Sequence, residues 1–315
     1  MNEGDFVKYL EKTFPFSYGK GIGDDTSVVK TGGSFQLITK DILIEDVHFR
    51  LEDITLQSLA LKSLAVNVSD IAAMGGVPQY VYLGLGFPKH LPGDRVLEFF
   101  QGMEEGCRKW KIELAGGDYS ISSAMFISIT LVGKATRPVF RSGAKKGDLI
   151  GISGRTGESA AGLKLLLDGV KSHGLIDSHQ IVEPHVDQGM ILSKYAHSMI
   201  DVSDGLLLDL SRILNASKKG AHLYYNQIPV TPLLRDTCIT YKWNEKELVL
   251  SGGEDYILLF TISKRNESKL KKENPGFDYY IIGEITDREG ELTVEENGNI
   301  IPVDHLGYDH FERGK

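Results

Sequence analysis

Cysteine is almost missing from this chain: Cys107 and Cys238 are the two thiols among 315 residues. Their spacing matches no metal-ligand pattern, and they read as reduced side chains of a cytoplasmic protein. Long apolar runs are also missing. None approaches the roughly 20 residues a membrane helix requires. The opening Met1-Asn2-Glu3-Gly4-Asp5 is acidic and lacks the basic-then-apolar order of a signal peptide. Positive charge is in deficit, with 35 Lys and Arg against 43 Asp and Glu and a net charge of −8. That balance excludes a surface built for nucleic acid, so neither nucleic acid nor membrane is an expected partner. It does not exclude a polyphosphate, which an acidic site holds when divalent cations lie between the two sets of negative charge. Several catalytic signatures have no counterpart here: the Walker A loop, the kinase His-Arg-Asp and Asp-Phe-Gly pair, the Gly-x-Ser-x-Gly elbow and His-Glu-x-x-His.

What the chain has in excess is glycine. Its 35 glycines exceed the typical share of about 7% and predict many tight turns and close backbone approaches. The pattern predicts a helix over 3–13, strands over 34–38 and 42–47, and a long helix over 56–74. Thr55 is the N-cap of that helix, and Gly75-Gly76 and Pro78 end it. A strand over 80–87, an amphipathic helix over 93–110 and a strong strand over 125–135 follow. The first half thus reads β-β-α-β-α-β-β, a mixed sheet. A basic connector at 137–146, containing Pro and Gly, marks a domain boundary. Beyond it the pattern predicts strands over 148–153, 221–225, 256–262 and 279–285, and helices ending at 167, over 180–196 and over 206–216.

Aspartates recur at the ends of these apolar runs, next to Gly or Ser. Asp24, Asp41, Asp70 and Asp118 come from four separate elements of the first half, and Asp201 and Asp204 from the second. Any one of them alone reads as a turn or capping residue. Six together point to hard cations such as Mg²⁺, which take oxygen ligands and share them with substrate phosphate. Asp70 falls late in its helix, where the dipole disfavours a carboxylate and a cation would compensate. His48, between Val47 and Phe49, is open to three readings: metal ligand, base or core histidine. Arg141 and Arg155 are candidates for phosphate contacts, and Gly154–Gly162 is a generic anion-binding loop. A multi-metal acidic site without an obvious base suits phosphoryl transfer to an acceptor that is already anionic.

A set of short motifs carries a resemblance. They are Ile22-Gly23-Asp24-Asp25, Thr39-Lys40-Asp41, Val47-His48-Phe49, Ser69-Asp70-Ile71-Ala72-Ala73-Met74-Gly75 and Gly116-Gly117-Asp118. Asp201-Val202-Ser203-Asp204-Gly205, Ser251-Gly252-Gly253-Glu254-Asp255-Tyr256 and Gly307-Tyr308-Asp309-His310-Phe311 complete the set. In order and nearly end to end, it resembles the thiamine-monophosphate kinase family of the aminoimidazole ribonucleotide synthetase superfamily. The resemblance implies an α+β or α/β protein of two domains, over 1–140 and 141–315. The N-terminal mixed sheet would form a barrel-like core with a dimer mate, and the C-terminal domain an α/β sandwich. It implies a homodimeric, cytoplasmic kinase that uses ATP and several Mg²⁺ ions, with no separate catalytic base, to convert thiamine phosphate to thiamine diphosphate by in-line transfer. Asp24, Thr39, Asp41, Asp70, Asp118, Asp201 and Asp204 are implied as metal ligands. Gly117, Asp118, Arg141 and Ser203 are implied as ATP contacts, and His48, Glu254 and Tyr308 as contacts to thiamine phosphate. The sequence departs from the family pattern at Lys40, in place of a small hydroxyl residue, at Asp46, in place of Gly, and at Tyr119, in place of Thr.

Overall fold

A computed structural model describes residues 3–303 and 305–308. The first half runs α1 (Glu3–Thr13), β1 (Gly19–Lys20), β2 (Ser27–Thr31), β3 (Ser34–Ile44), α2 (Leu56–Ala73), β4 (Val77–Pro88), α3 (Gly93–Trp110), β5 (Glu113–Ser122) and β6 (Phe126–Ala135). The second begins with β7 (Leu149–Ile152), α4 (Glu158–Leu167), α5 (Gly174–Gln180), α6 (Val186–Leu192), β8 (Ser198–Asp201), α7 (Leu206–Ser217) and β9 (Gly220–Tyr224). It ends with α8 (Pro232–Tyr241), α9 (Glu245–Ser251), β10 (Leu258–Ile262), α10 (Lys264–Glu273), β11 (Tyr280–Thr286), β12 (Leu292–Glu296) and β13 (Asn299–Ile301). Two mixed sheets result. One has the order β1-β2-β3-β6-β4-β5, the other β13-β12-β9-β11-β7-β10-β8. Among these strands, only β4–β5 and β9–β12 pair in parallel.

Helix α2 lies against both sheets. Thr55 caps it by accepting the Ser58 N–H. Gly75, with φ of +68°, turns the chain out of it. Fourteen of its 18 residues are buried, so it is a core helix whose apolar surface is not confined to one stripe. Leu56, Leu59, Leu64 and Ile71 belong to the core of the first half, while Ala72 and Ala73 pack with Leu192, Met199 and Phe260 of the second.

Two elements differ from their sequence-based expectation. Strand β3 is continuous through Thr39-Lys40-Asp41, where a break is predicted. The side chains alternate: Leu37, Thr39 and Leu43 are buried and Asp41 half-buried, whereas Lys40 is exposed and donates to the Ser128 hydroxyl at 2.8 Å. A polar residue every second position interrupts hydrophobicity without interrupting a strand. The helix expected over 180–196 is shorter: only α6, Val186–Leu192, falls within it, and Pro184, which cannot continue a helical hydrogen-bond ladder, lies between α6 and α5, which ends at Gln180. Strands β1, β2, β8, β12 and β13 and helices α5, α8, α9 and α10 have no counterpart among the expected elements. No helix among the described residues is long and apolar enough to cross a membrane.

Candidate active site

The C-terminal turn of α2 meets the end of β8 and the turn between β1 and β2. This brings together Asp70, Asp201 and Asp25, whose carboxylate oxygens lie within 4.8 Å of one another. Asp70 accepts a hydrogen bond from the Thr39 hydroxyl. Asp201 accepts one from Ser69 at 2.6 Å, which ties the two halves of the chain at this point. Asp25 accepts one from the Arg141 guanidinium at 2.6 Å, and its second oxygen is buried with no protein partner. Burial pushes the Asp70 and Asp201 carboxyls far above the ordinary carboxylate range. For Asp70 the repulsion of Asp41, Asp201 and Asp25 adds to it; for Asp201 that of Asp25 does. Asp25 is raised as well by burial, against the pull of Arg141. Three crowded carboxyls, one of which keeps a buried oxygen without a protein partner, fit a hard divalent cation.

Two further aspartates flank this cluster. Asp41, on the inner face of β3, has its carboxyl pushed up to about 6 by burial and by Asp204. Asp204 pairs with Arg212 at 2.6 Å. Arg212 also holds Asp209, which accepts the backbone N–H groups of Ser203 and Asp204, each at 3.1 Å. The Asp201–Gly205 turn is thereby fixed ahead of α7. Asp24 is placed differently from its neighbour. It accepts the backbone N–H of Arg141 at 2.7 Å and pairs with Lys20.

Asp41, Asp70, Asp201, Ser203 and Asp204 line a cavity of about 600 Å³ whose other walls include His48, Glu254 and Tyr308. His48 Nδ1 accepts the Ile44 N–H at 3.1 Å. Asp46 adopts φ of +63° in this loop, a left-handed conformation that aspartate tolerates better than most residues. Glu254 also has positive φ, +62°. Burial pushes its carboxyl up, but Lys62 and His179 outweigh burial and hold it below its usual value. The Tyr308 N–H donates to the Asp204 carbonyl at 2.9 Å. Asp309, His310 and Phe311 lie outside the described residues.

Gly117 and Asp118 stand apart from this cavity. Both lie on β5, three strands from β3 in the sheet order, or about 14 Å at the usual strand spacing. Register places Asp41, Ile129, Leu83 and Gly117 on one face, and Ile42, Ser128, Gly84 and Asp118 on the other. Asp118 is exposed on that outer face, where its carboxylate accepts the Tyr119 N–H at 2.9 Å. A Cβ on Gly117 would stand 2.0 Å from the Leu83 carbonyl oxygen, so packing in the sheet requires glycine there. Four residues of this region escape the sequence reading: Asp25, Lys62, Arg212 and Tyr256. Asp25 and Lys62 leave a signal, one as the second member of an Asp-Asp pair, the other as a lysine inside an apolar helix.

Comparison with known proteins falls on the same segments. The AIR synthase related protein N-terminal domain matches residues 23–135, and the C-terminal domain matches residues 145–295. The thiamine-monophosphate kinase of Buchnera aphidicola subsp. Schizaphis graminum is 40% identical over 93% of this chain and 92% of its own length. That of Bacillus subtilis is 31% identical over 93% of each. A solved structure described as AaThiL complexed with AMPPCP and TMP superposes with a TM-score of 0.89. It is 34% identical and covers 98% of this chain and 97% of its own. The hydrogenase maturation protein HypE, 18% identical with a TM-score of 0.72 over 96% of this chain and 97% of its own, shares the fold alone.

Proposed function

The chain belongs to the thiamine-monophosphate kinase family of AIR synthase related proteins, and from that membership we propose that it transfers the γ-phosphoryl group of ATP to thiamine phosphate. The products are ADP and thiamine diphosphate. One observation carries the reading: a cavity of about 600 Å³ has crowded, buried carboxylates at one end and the ion-paired Glu254 at the other. The first end suits metal-bound polyphosphate, the second a cationic heterocycle.

Asp25, Asp70 and Asp201 would hold divalent cations, with Thr39, Asp41 and Asp204 beside them. Bound Mg²⁺ supplies charge neutralisation between the phosphate groups and the acidic wall. Arg141 and Ser203 are assigned to ATP. His48, Glu254 and Tyr308 are assigned to thiamine phosphate, where Tyr308 offers an aromatic face to a flat, charged ring system. The acceptor is a phosphate monoester, whose second pKa lies near 6, so it arrives deprotonated and needs no general base. The residues therefore act by placing acceptor oxygen and γ-phosphorus in line.

Asp24, Gly117 and Asp118 belong to the proposed set without joining the cluster of a single chain. For Asp118 we assign the missing connection to a second copy. The outer face of the first sheet exposes Ile42, Ile44, Tyr82 and Phe126, an apolar surface that suits burial in a homodimer with a barrel-like core. The domain boundary is placed at 140/141, within the connector, and the compartment as the cytoplasm. The direct test is ADP release with thiamine phosphate, ATP and Mg²⁺, read by a coupled assay on the pure protein. Mg²⁺-dependent turnover is expected; its absence would exclude the proposal.

A further inference from the structure

Lys62 is a lysine buried to 4% exposure in the middle of α2. Its ammonium donates to the His179 carbonyl at 2.9 Å and to Glu254 Oε2 at 3.1 Å. The same carboxylate oxygen stands 3.1 Å from His179 Nδ1, which is also 3.2 Å from the Ser159 hydroxyl. So a residue of the first half carries an ion pair into the second half, on the wall of the cavity. Ion pairs of this kind are poor stabilisers. Taking both charges out of water costs about as much as their attraction returns, and an apolar residue of similar volume often serves stability better. Lys62 and Asp70 lie eight residues apart on one helix, about 12 Å along its axis. One rigid element thus positions both ends of the cavity.

We propose that Lys62 is a positioning residue for substrate recognition: tethered to the His179 carbonyl, its ammonium fixes the Glu254 carboxylate as the acceptor that reads the cationic, amine-bearing ring system of the substrate. The inference rests on the reading of thiamine phosphate as acceptor. It differs from a domain-locking role in what it predicts. A lock affects ATP and thiamine phosphate alike, whereas a positioned carboxylate affects one substrate and discriminates by its charge.

The experiment measures steady-state constants of wild type, Lys62→Met, Glu254→Gln and the double variant. Substrates are ATP, thiamine phosphate and an analogue of the latter whose thiazolium is replaced by an uncharged thiophene. Lys62→Met should raise KM for thiamine phosphate about tenfold or more, the scale of a lost charged hydrogen bond, while KM for ATP moves less than about twofold. The preference of wild type for the charged substrate over its neutral analogue should collapse. The double variant should lose no more than Glu254→Gln alone, since both act through one carboxylate. Equal losses for both substrates, a retained preference for the charged one, or additive losses overturn the inference. Should Lys62→Met not fold, Lys62→Gln is put through the same comparison with the same expected split. No turnover by wild type defeats the kinase reading and this inference with it; turnover with Lys62→Met unchanged defeats this inference alone.

Discussion

Asp201 is a residue whose function and stability pull in opposite directions. It is buried, it faces Asp25, and burial and repulsion both disfavour its charge. Asparagine would keep an acceptor for the Ser69 hydroxyl and remove the charge. Asp201→Asn should therefore melt higher than wild type in EDTA, by on the order of 1 kcal/mol, and lose roughly 10²-fold or more in turnover. Calorimetry and the coupled assay check the two halves of this statement; a lower melting temperature would mean that the charge is not strained. The neighbouring Asp24 and Asp25 mark how far sequence reaches at this scale. Both follow Gly23, yet Asp25 turns toward Asp70 and Asp201 while Asp24 turns toward Lys20 and the Arg141 amide. The choice depends on where Arg141 arrives from, 116 residues along the chain, and no local pattern encodes that. Lys40 is the converse case. Its departure from the family pattern bears on the outer face of β3, because strand alternation turns it away from the cavity.

At the scale of elements, α3 approaches α2 through two glycines one turn apart. A Cβ at Gly102 would lie 2.2 Å from the Gln57 carbonyl oxygen, and one at Gly106 would lie 3.0 Å from Leu64 Cδ2. Gly102→Ala cannot be accommodated by a rotamer change, because the obstacle is backbone. It should destabilise the protein by about 1–3 kcal/mol, read as a lower urea midpoint with an unchanged m-value. A midpoint within error of wild type would show that the two helices separate freely. Helix α2 is legible from its Thr55 cap and its Gly75-Gly76 stop, and α3 from the helical spacing of its apolar residues. Strand β5 is legible only as a place in the β-β-α-β-α-β-β order, without bounds, since its residues are mostly exposed and include two adjacent glycines, and the edge of a sheet imposes little pattern on them. Helix α10 escapes for a related reason: Glu267 and Leu270 are its only buried residues, so no apolar stripe announces it.

Across the whole molecule, the cluster draws Asp25 and Asp70 from one half and Asp201 from the other, so the cation binding proposed there would be linked to the joining of the halves. Burial raises Asp41 to about 6 and holds Asp70 and Asp201 well above the ordinary carboxylate range. In the metal-free protein their contribution to stability is therefore best at low pH and falls as pH rises from about 4 through 6 and beyond. Mg²⁺ requires them deprotonated, so the gain in Tm on adding Mg²⁺ should be smaller at pH 6 than at pH 8; the reverse order in a scanning experiment would refute the assignment. The second copy is testable too. If the partner supplies Asp118, Asp70→Asn and Asp118→Asn are each inactive as homodimers. Their equimolar mixture, after subunit exchange, should regain about one quarter of wild-type activity, from one intact site in each mixed dimer. No recovery despite exchange would place Asp118 in the site of its own chain.

The Ser69–Asp201 bond also has a consequence in time. Its two ends are 132 residues apart. At about 5–20 residues per second, the ribosome takes roughly 7–26 s to deliver the second after the first. For most of that interval Ala72 and Ala73 of α2 have none of their second-half neighbours to pack against: Leu192 and Met199 come at its end, and Phe260 after it. The first half can reach most of its own core early, but its central helix waits for the rest of the chain. This nascent state, rather than the finished protein, is where chaperone contact and aggregation during synthesis should concentrate.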